Sequence, residues 1–411
     1  MKSGRFGVVA GLAVALALAA CSSSEDSGAE SSAESTSAST ESPSADVADA
    51  VTPVVGHVLD DPVPVATTDG TTHLVYELEV TNVLPQDVTI DSVKAEADGK
   101  SLLTLSAADL INWTSMFGTA KPGTTMGPGE SGRVWMDVSI AKGESVPTQV
   151  QNSLTVTLST PMLPLLPATV VTPLPPMTVS GSAIKIAPPM QGAGWVDANG
   201  CCTVTPHRHA VNPIDGSFWV AERFAIDWVQ VDAQGKLFNG DRAKLESYPY
   251  FGTDIQAVAN GKVVAVLDGL PEQVPGASPT GLPLDEYAGN HVVQDLGNGH
   301  YALYAHLKTG SVKVEAGDEL SAGQVLGNLG NSGNTDAPHL HFHVMAGPDP
   351  LRANGLPYEF DSFELTGRLA SLGAVDELAT TGGPAPMQSA VSTGTKTDEL
   401  PMFLDVVTFP S

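Results

Sequence analysis

Positive charge is scarce in this chain of 411 residues: 19 Lys and Arg stand against 46 Asp and Glu, a formal net charge of −27. A surface of that sign cannot neutralise phosphates, which excludes nucleic acid as a partner, and anionic headgroups would repel it. Long apolar runs are missing as well. The stretch Gly7 to Ala20 stops at 14 residues, short of the roughly 20 a spanning helix needs. Aromatic residues make up 6% and charged residues 16%, while Gly and Pro number 41 and 31. That balance argues against a helical bundle and for short strands joined by many turns. Cysteine occurs three times, at Cys21, Cys201 and Cys202.

The N-terminal run, preceded by Lys2 and Arg5, has the proportions of a secretory signal over residues 1–20. Leu18-Ala19-Ala20-Cys21 resembles a bacterial lipobox. That resemblance implies removal of the signal and lipid attachment at Cys21, making the protein an exported lipoprotein held at the cell envelope by acyl chains. Residues 22–50 are almost entirely Ser, Thr, Ala, Glu and Asp, without Lys, Arg or an aromatic. Nothing there offsets the entropy of ordering, so residues 21–50 read as a lipidated Cys and a disordered tether reaching about 30 Å from the membrane.

From 51 to 160 the sequence alternates. Leu74, Tyr76, Leu78 and Val80 share one face, with Glu77, Glu79 and Thr81 on the other; Val134, Met136, Val138 and Ile140 repeat the pattern. Period two with a polar face predicts half-buried antiparallel strands, assembled as a sandwich of immunoglobulin-like type. His57 and His73 are expected there as isolated surface or strand residues. Residues 161–183 are Pro-rich, with six prolines between Pro161 and Pro176. They form either a stiff linker or edge structure. A second unit follows from 184 to 370, and residues 371–411 read as a loop and a C-terminal strand.

Chemistry concentrates between His291 and Met345. Val292–Leu296 and Tyr301–His306 are predicted to form a hairpin through Gly297-Asn298-Gly299. Gly330-Asn331-Ser332-Gly333-Asn334-Thr335 then leads into His339-Leu340-His341-Phe342-His343-Val344. On a strand the three imidazoles share a face while Leu340, Phe342 and Val344 enter the core. Buried imidazoles need a partner, and zinc is the natural one.

The combination of Tyr304-Ala305-His306-Leu307, the glycine turn and His339-x-His341 resembles the lysostaphin-like or LytM-type zinc endopeptidases. The resemblance covers roughly residues 220 to 345. It implies a LytM-type antiparallel β-sheet domain, a zinc cofactor and peptidoglycan peptides as substrate. Carried over by position, it makes His341 a metal ligand and His306 and His339 the catalytic pair. The family's His-x-x-x-Asp falls on Arg223-Phe224-Ala225-Ile226-Asp227. Asp227 fits the aspartate ligand, but Arg223 stands at the histidine position, and a guanidinium has no lone pair for zinc.

With both on one strand, Arg223 and Asp227 would face the same site. Two arrangements follow. Either Arg223 pairs with Asp227, leaving a catalytically silent domain that binds wall peptide or regulates another wall hydrolase, or Arg223 turns away and His207, His209 or His343 completes the site. Cys201 and Cys202 are adjacent; neighbouring Cα atoms sit about 3.8 Å apart, below the usual disulfide range of about 4.4–6.8 Å. A strained disulfide or two free thiols at the groove rim are the readings, with Cys-Cys-x4-His-x-His a second metal site as the lesser one.

Overall fold

The computed structural model describes residues 50–118 and 123–411. The expected signal, the lipid site Cys21 and the tether to residue 49 lie outside the described residues. Among those described, no helix is long and apolar enough to cross a membrane. Val51–Ser411 forms one compact unit, and it is mainly β, as the composition requires.

The alternating N-terminal segments build two antiparallel sheets. Thr72–Asn82 pairs along its length with Ser131–Ile140, and Val88–Ala97 lies between Lys100–Ser106 and Gln149–Leu158 in the other sheet. Leu74, Tyr76, Leu78, Val134, Met136 and Val138 from the first sheet share a core with Ile90, Val93, Leu154 and Val156 from the second. The Pro-rich stretch supplies edge structure: Thr169–Pro173 pairs with Gln149–Leu158, an edge position where a missing donor is tolerated. Its Pro173 faces Ser153 at the end of the register.

The expectation of a half-buried Thr72–Asn82 strand needs correction. Its second face is covered too, so Val75 is 1%, His73 3% and Glu77 0% exposed. Nor is His73 isolated: its Nδ1 lies 2.6 Å from Asp137 Oδ1 and its Nε2 3.1 Å from Asp69 Oδ2. Burial opposes the imidazolium, yet the hydrogen bonds to Asp137 and Asp69 outweigh it and raise the His73 pKa to about 9.

What covers that face is the connection that carries Cys202, Arg208 and Arg223, which joins two strands of an eleven-stranded antiparallel sheet. Its centre runs in the order Gly261–Leu267, Asn290–Gly297, His300–Leu307, Leu340–Met345, Ile226–Gln230, Gly192–Ala198, Asp405–Phe409 and Phe363–Arg368. The predicted hairpin is present, Asn290–Gly297 against His300–Leu307. The C-terminal strand is internal to this sheet, between Gly192–Ala198 and Phe363–Arg368, because Val406, Val407 and Phe409 complete the core around Trp195 and Trp228. Leu372–Thr381, expected within a loop, is a helix buried through Ala374 and Leu378.

Candidate active site

The sheet places the histidine strand beside the aspartate strand. Leu340–Met345 lies between His300–Leu307 and Ile226–Gln230, with His341 directly opposite both Asp227 and Ala305. Leu340, Phe342 and Val344 are fully buried in the core on one face, which leaves His341 and His343 no choice but the other. There they line a cleft of about 320 Å³, together with His207, Asp227, His306 and His339.

Asp227 is the hub. Its Oδ1 lies 2.9 Å from His341 Nδ1 and 3.2 Å from His339 Nε2; its Oδ2 lies 3.1 Å from His207 Nε2 and accepts from Asn199 Nδ2 at 2.8 Å. Burial alone would raise this carboxyl, but the neighbouring His207 and His339 hold it well below the usual carboxylate range. The reciprocal effect falls on the rings. Burial works against their charge, and the Asp227 charge overrides it, raising His207 to about 10 and His339 above its ordinary value. His306 and His343 go the other way: burial first, then neighbouring imidazoles, push both well below 6.5.

Second hydrogen bonds fix the rings. His207 Nδ1 donates to Ala225 O at 3.0 Å, His339 Nδ1 to Ala337 O at 2.8 Å and His306 Nδ1 to Ser332 O at 2.7 Å. A carbonyl only accepts, so each Nδ1 carries hydrogen and each Nε2 is the atom presented onward. His306 sits at φ 60°, a left-handed conformation uncommon outside glycine. It is held there by its own N–H to Ala288 O at 3.0 Å and by Ser332. The loops supplying those carbonyls touch at Gly289 and Gly333: a Cβ on Gly333, whose φ is +81°, would lie 2.3 Å from Gly289 N.

The ligand atoms of His207, Asp227 and His341 lie within 4.8 Å of one another, as do those of His306, His339 and His341. A divalent cation fits the first group by the chemistry of its donors, two imidazoles and a carboxylate, the mixed N/O set suited to zinc with a position left open.

Arg223 does not face Asp227. It lies in the turn preceding Ile226–Gln230, not on the strand, so the two-residue periodicity that would align it with Asp227 does not apply. Its Nε and Nη2 donate to Glu77 at 3.2 and 2.5 Å. The arrangement in which Arg223 occupies the aspartate is therefore not the one found. Of the three imidazoles that could replace the missing donor, His207 is the one on Asp227. His209 packs its ring 4.2 Å from Trp135, and His343 Nδ1 meets His341 Nε2 at 3.0 Å, behind the ligand group. Cys201 and Cys202 form a disulfide, buried at 1% and 0% exposure. They do not line the cleft, and Cys202 lies near His73 and Asp137 instead of His207 and His209.

Sequence reasoning missed Asn199 and the cleft-lining Glu222, Tyr287 and Asp336. Asn199 stands in Asp197-Ala198-Asn199-Gly200, which carries only a turn signal.

The cleft floor is thus a His-x-His strand opposed by an aspartate, a donor set able to hold a divalent cation. Residues 248–353 match Peptidase family M23. That stretch contains His306, His339 and His341; Asp227 and His207 precede it.

Among characterised proteins the chain is 39% identical over 67 residues to the peptidoglycan DD-endopeptidase ShyA of Vibrio cholerae, covering 16% of this chain and 15% of that protein. It is 32% identical over 108 residues to the glycyl-glycine endopeptidase ALE-1 of Staphylococcus capitis (26% and 25%) and 36% identical over 95 residues to lysostaphin of Staphylococcus simulans (23% and 16%). The chain thus spans a quarter or less of the length of these relatives. The crystallised catalytic domain of Staphylococcus simulans lysostaphin aligns at 21% identity and a TM-score of 0.22, covering 40% of this chain and 88% of that one.

Proposed function

We propose that this protein is a zinc-dependent endopeptidase that hydrolyses peptide bonds of cell-wall peptidoglycan, exported and held at the envelope by lipid on Cys21. The observation that carries the reading is the convergence of His207, Asp227 and His341 in one cleft with His306 and His339 alongside. Relatives named as a peptidoglycan DD-endopeptidase and a glycyl-glycine endopeptidase support the substrate class. Zinc held by His207, Asp227 and His341 would act as a Lewis acid toward the scissile carbonyl and acidify water near neutral pH.

The chain's own residues do the rest. Ala225 O and Ser332 O fix His207 and His306 as rings whose Nε2 faces the cleft. His306, kept neutral by burial, accepts a proton from the attacking water through that nitrogen. His339, its Nδ1 tied to Ala337 O, presents Nε2–H to the oxyanion. His343 Nδ1 braces His341 at 3.0 Å.

The test is incubation of the full chain with purified sacculi. Zinc-loaded protein should release soluble fragments bearing new amino termini, and chelator should stop the release. Zinc-loaded wild type that solubilises nothing, while still binding sacculi, would overturn the reading in favour of a silent wall-binding domain.

A further inference from the structure

We propose that Glu77, on the N-terminal strand Thr72–Asn82, is a positioning residue of the metal centre, so that the N-terminal sheets complete the site of the large sheet. The proposal rests on the metallopeptidase reading above. Glu77 is fully buried and belongs to a face that alternation alone assigns to solvent. Its carboxylate receives two guanidiniums from the other part of the chain, Arg208 through Nη1 and Arg223 through Nε and Nη2.

Each arginine belongs to a segment that fixes His207. Arg208 follows it directly in the short helix Pro206–His209, and its Nη2 also donates to Tyr76 O at 2.8 Å and Met136 O at 3.2 Å. Arg223 belongs to the turn that ends at Ala225, whose carbonyl accepts from His207 Nδ1 at 3.0 Å. One carboxylate therefore ties down both the backbone that carries the ring and the acceptor that sets its tautomer. Thr205 Oγ1 extends the same bracing, accepting from Arg208 N at 3.2 Å and donating to Asn199 O at 3.1 Å, while Asn199 Nδ2 holds Asp227.

Stability alone does not account for this choice of residues. Apolar side chains of similar volume commonly serve as well as a buried ion pair, whereas hydrogen-bonded charges add directional registration. Burial would raise the Glu77 carboxyl, but Arg223 and Arg208 lower it to about 2, so the clamp is charged at any working pH. The family's histidine position is thus reused: Arg223 gives up ligation and holds the loop against which the replacement histidine is oriented.

The experiment measures zinc affinity of the full chain by competition with a chromophoric chelator, together with the absorption spectrum of the cobalt-substituted protein and the melting of the metal-free form. Glu77→Asp keeps the charge and withdraws it by one methylene. It should weaken zinc binding about 10–100-fold, the range for residues that orient ligands, and shift the cobalt spectrum toward that of His207→Ala. Thr68→Val, which removes another contact to the large sheet at Asp405, should lower the melting temperature and leave affinity within about twofold.

Should Glu77→Asp not fold, Arg223→Gln, which leaves the Glu77–Arg208 pair in place, is expected to show the same loss. Unchanged affinity in both variants, or losses that merely track melting temperature as in Thr68→Val, would overturn the proposal. A wild type that binds neither zinc nor cobalt would overturn the metallopeptidase reading itself, and this proposal with it.

Discussion

Replacing His207 by alanine removes one of the three proposed metal donors, leaving Asp227 and His341. The ring contributes Nε2 at 3.1 Å from Asp227 Oδ2, while His341, His339 and Asn199 still contact the carboxylate. Structural zinc sites with four protein ligands bind with roughly 10–16 kcal/mol, or about 2.5–4 kcal/mol per ligand. Loss of one ligand therefore predicts affinity weaker by about 10²–10³-fold.

The comparison with its neighbours sharpens this. His343 touches His341 Nε2 at 3.0 Å without joining the ligand group, so His343→Ala should cost about 10–100-fold. His209 stacks on Trp135, so His209→Ala should leave zinc affinity within about threefold, a change of about 0.7 kcal/mol at most. Metal-to-protein ratio by emission spectrometry and chelator competition measure all three. An His207→Ala protein that keeps wild-type zinc affinity, or loss of zinc in His209→Ala, would refute the ligand assignment.

Three further outcomes follow from the same geometry. His306→Ala should retain zinc and lose about 10²–10⁴-fold in hydrolysis of purified sacculi, the usual effect of removing a general base; retention of activity would assign the proton transfer elsewhere. Gly333→Ala places a Cβ 2.3 Å from Gly289 N at a φ of +81°. It should destabilise the protein by about 1–3 kcal/mol through strain and displacement of Ser332, read as a lower melting temperature and a slower hydrolytic rate. The third concerns pH. The His73 pKa is raised from 6.5 to about 9 in the folded protein. Its contribution is therefore fully present below about 6.5 and disappears as pH rises through about 9, on the order of 3 kcal/mol at most. Denaturant titrations of wild type should show stability falling over that window, and His73→Asn should flatten the slope.

Alternation in Leu74–Val80 and Val134–Ile140, and the His339–His343 register, were legible because period two is a local property: chirality and pleat send successive side chains to opposite faces whatever surrounds them. The histidine cluster could be read for the same reason, since Leu340, Phe342 and Val344 had to enter the core and so aimed the imidazoles together. Period two cannot say whether a polar face meets water or a second sheet. Glu77 lies on such a face and is buried because Arg208 and Arg223, 131 and 146 residues away, close over it.

Which imidazole reaches Asp227 was of this second kind. His207, His209 and His343 were equivalent on paper, and the direction of Arg223 hinged on a turn that no spacing revealed. Composition and periodicity determined a β chain with a shared histidine face. Which imidazole reaches Asp227, and which carboxylate draws Arg223 away from it, were decided by the packing of a connecting helix and turn on the strand Thr72–Asn82, where buried charges must find partners from distant segments.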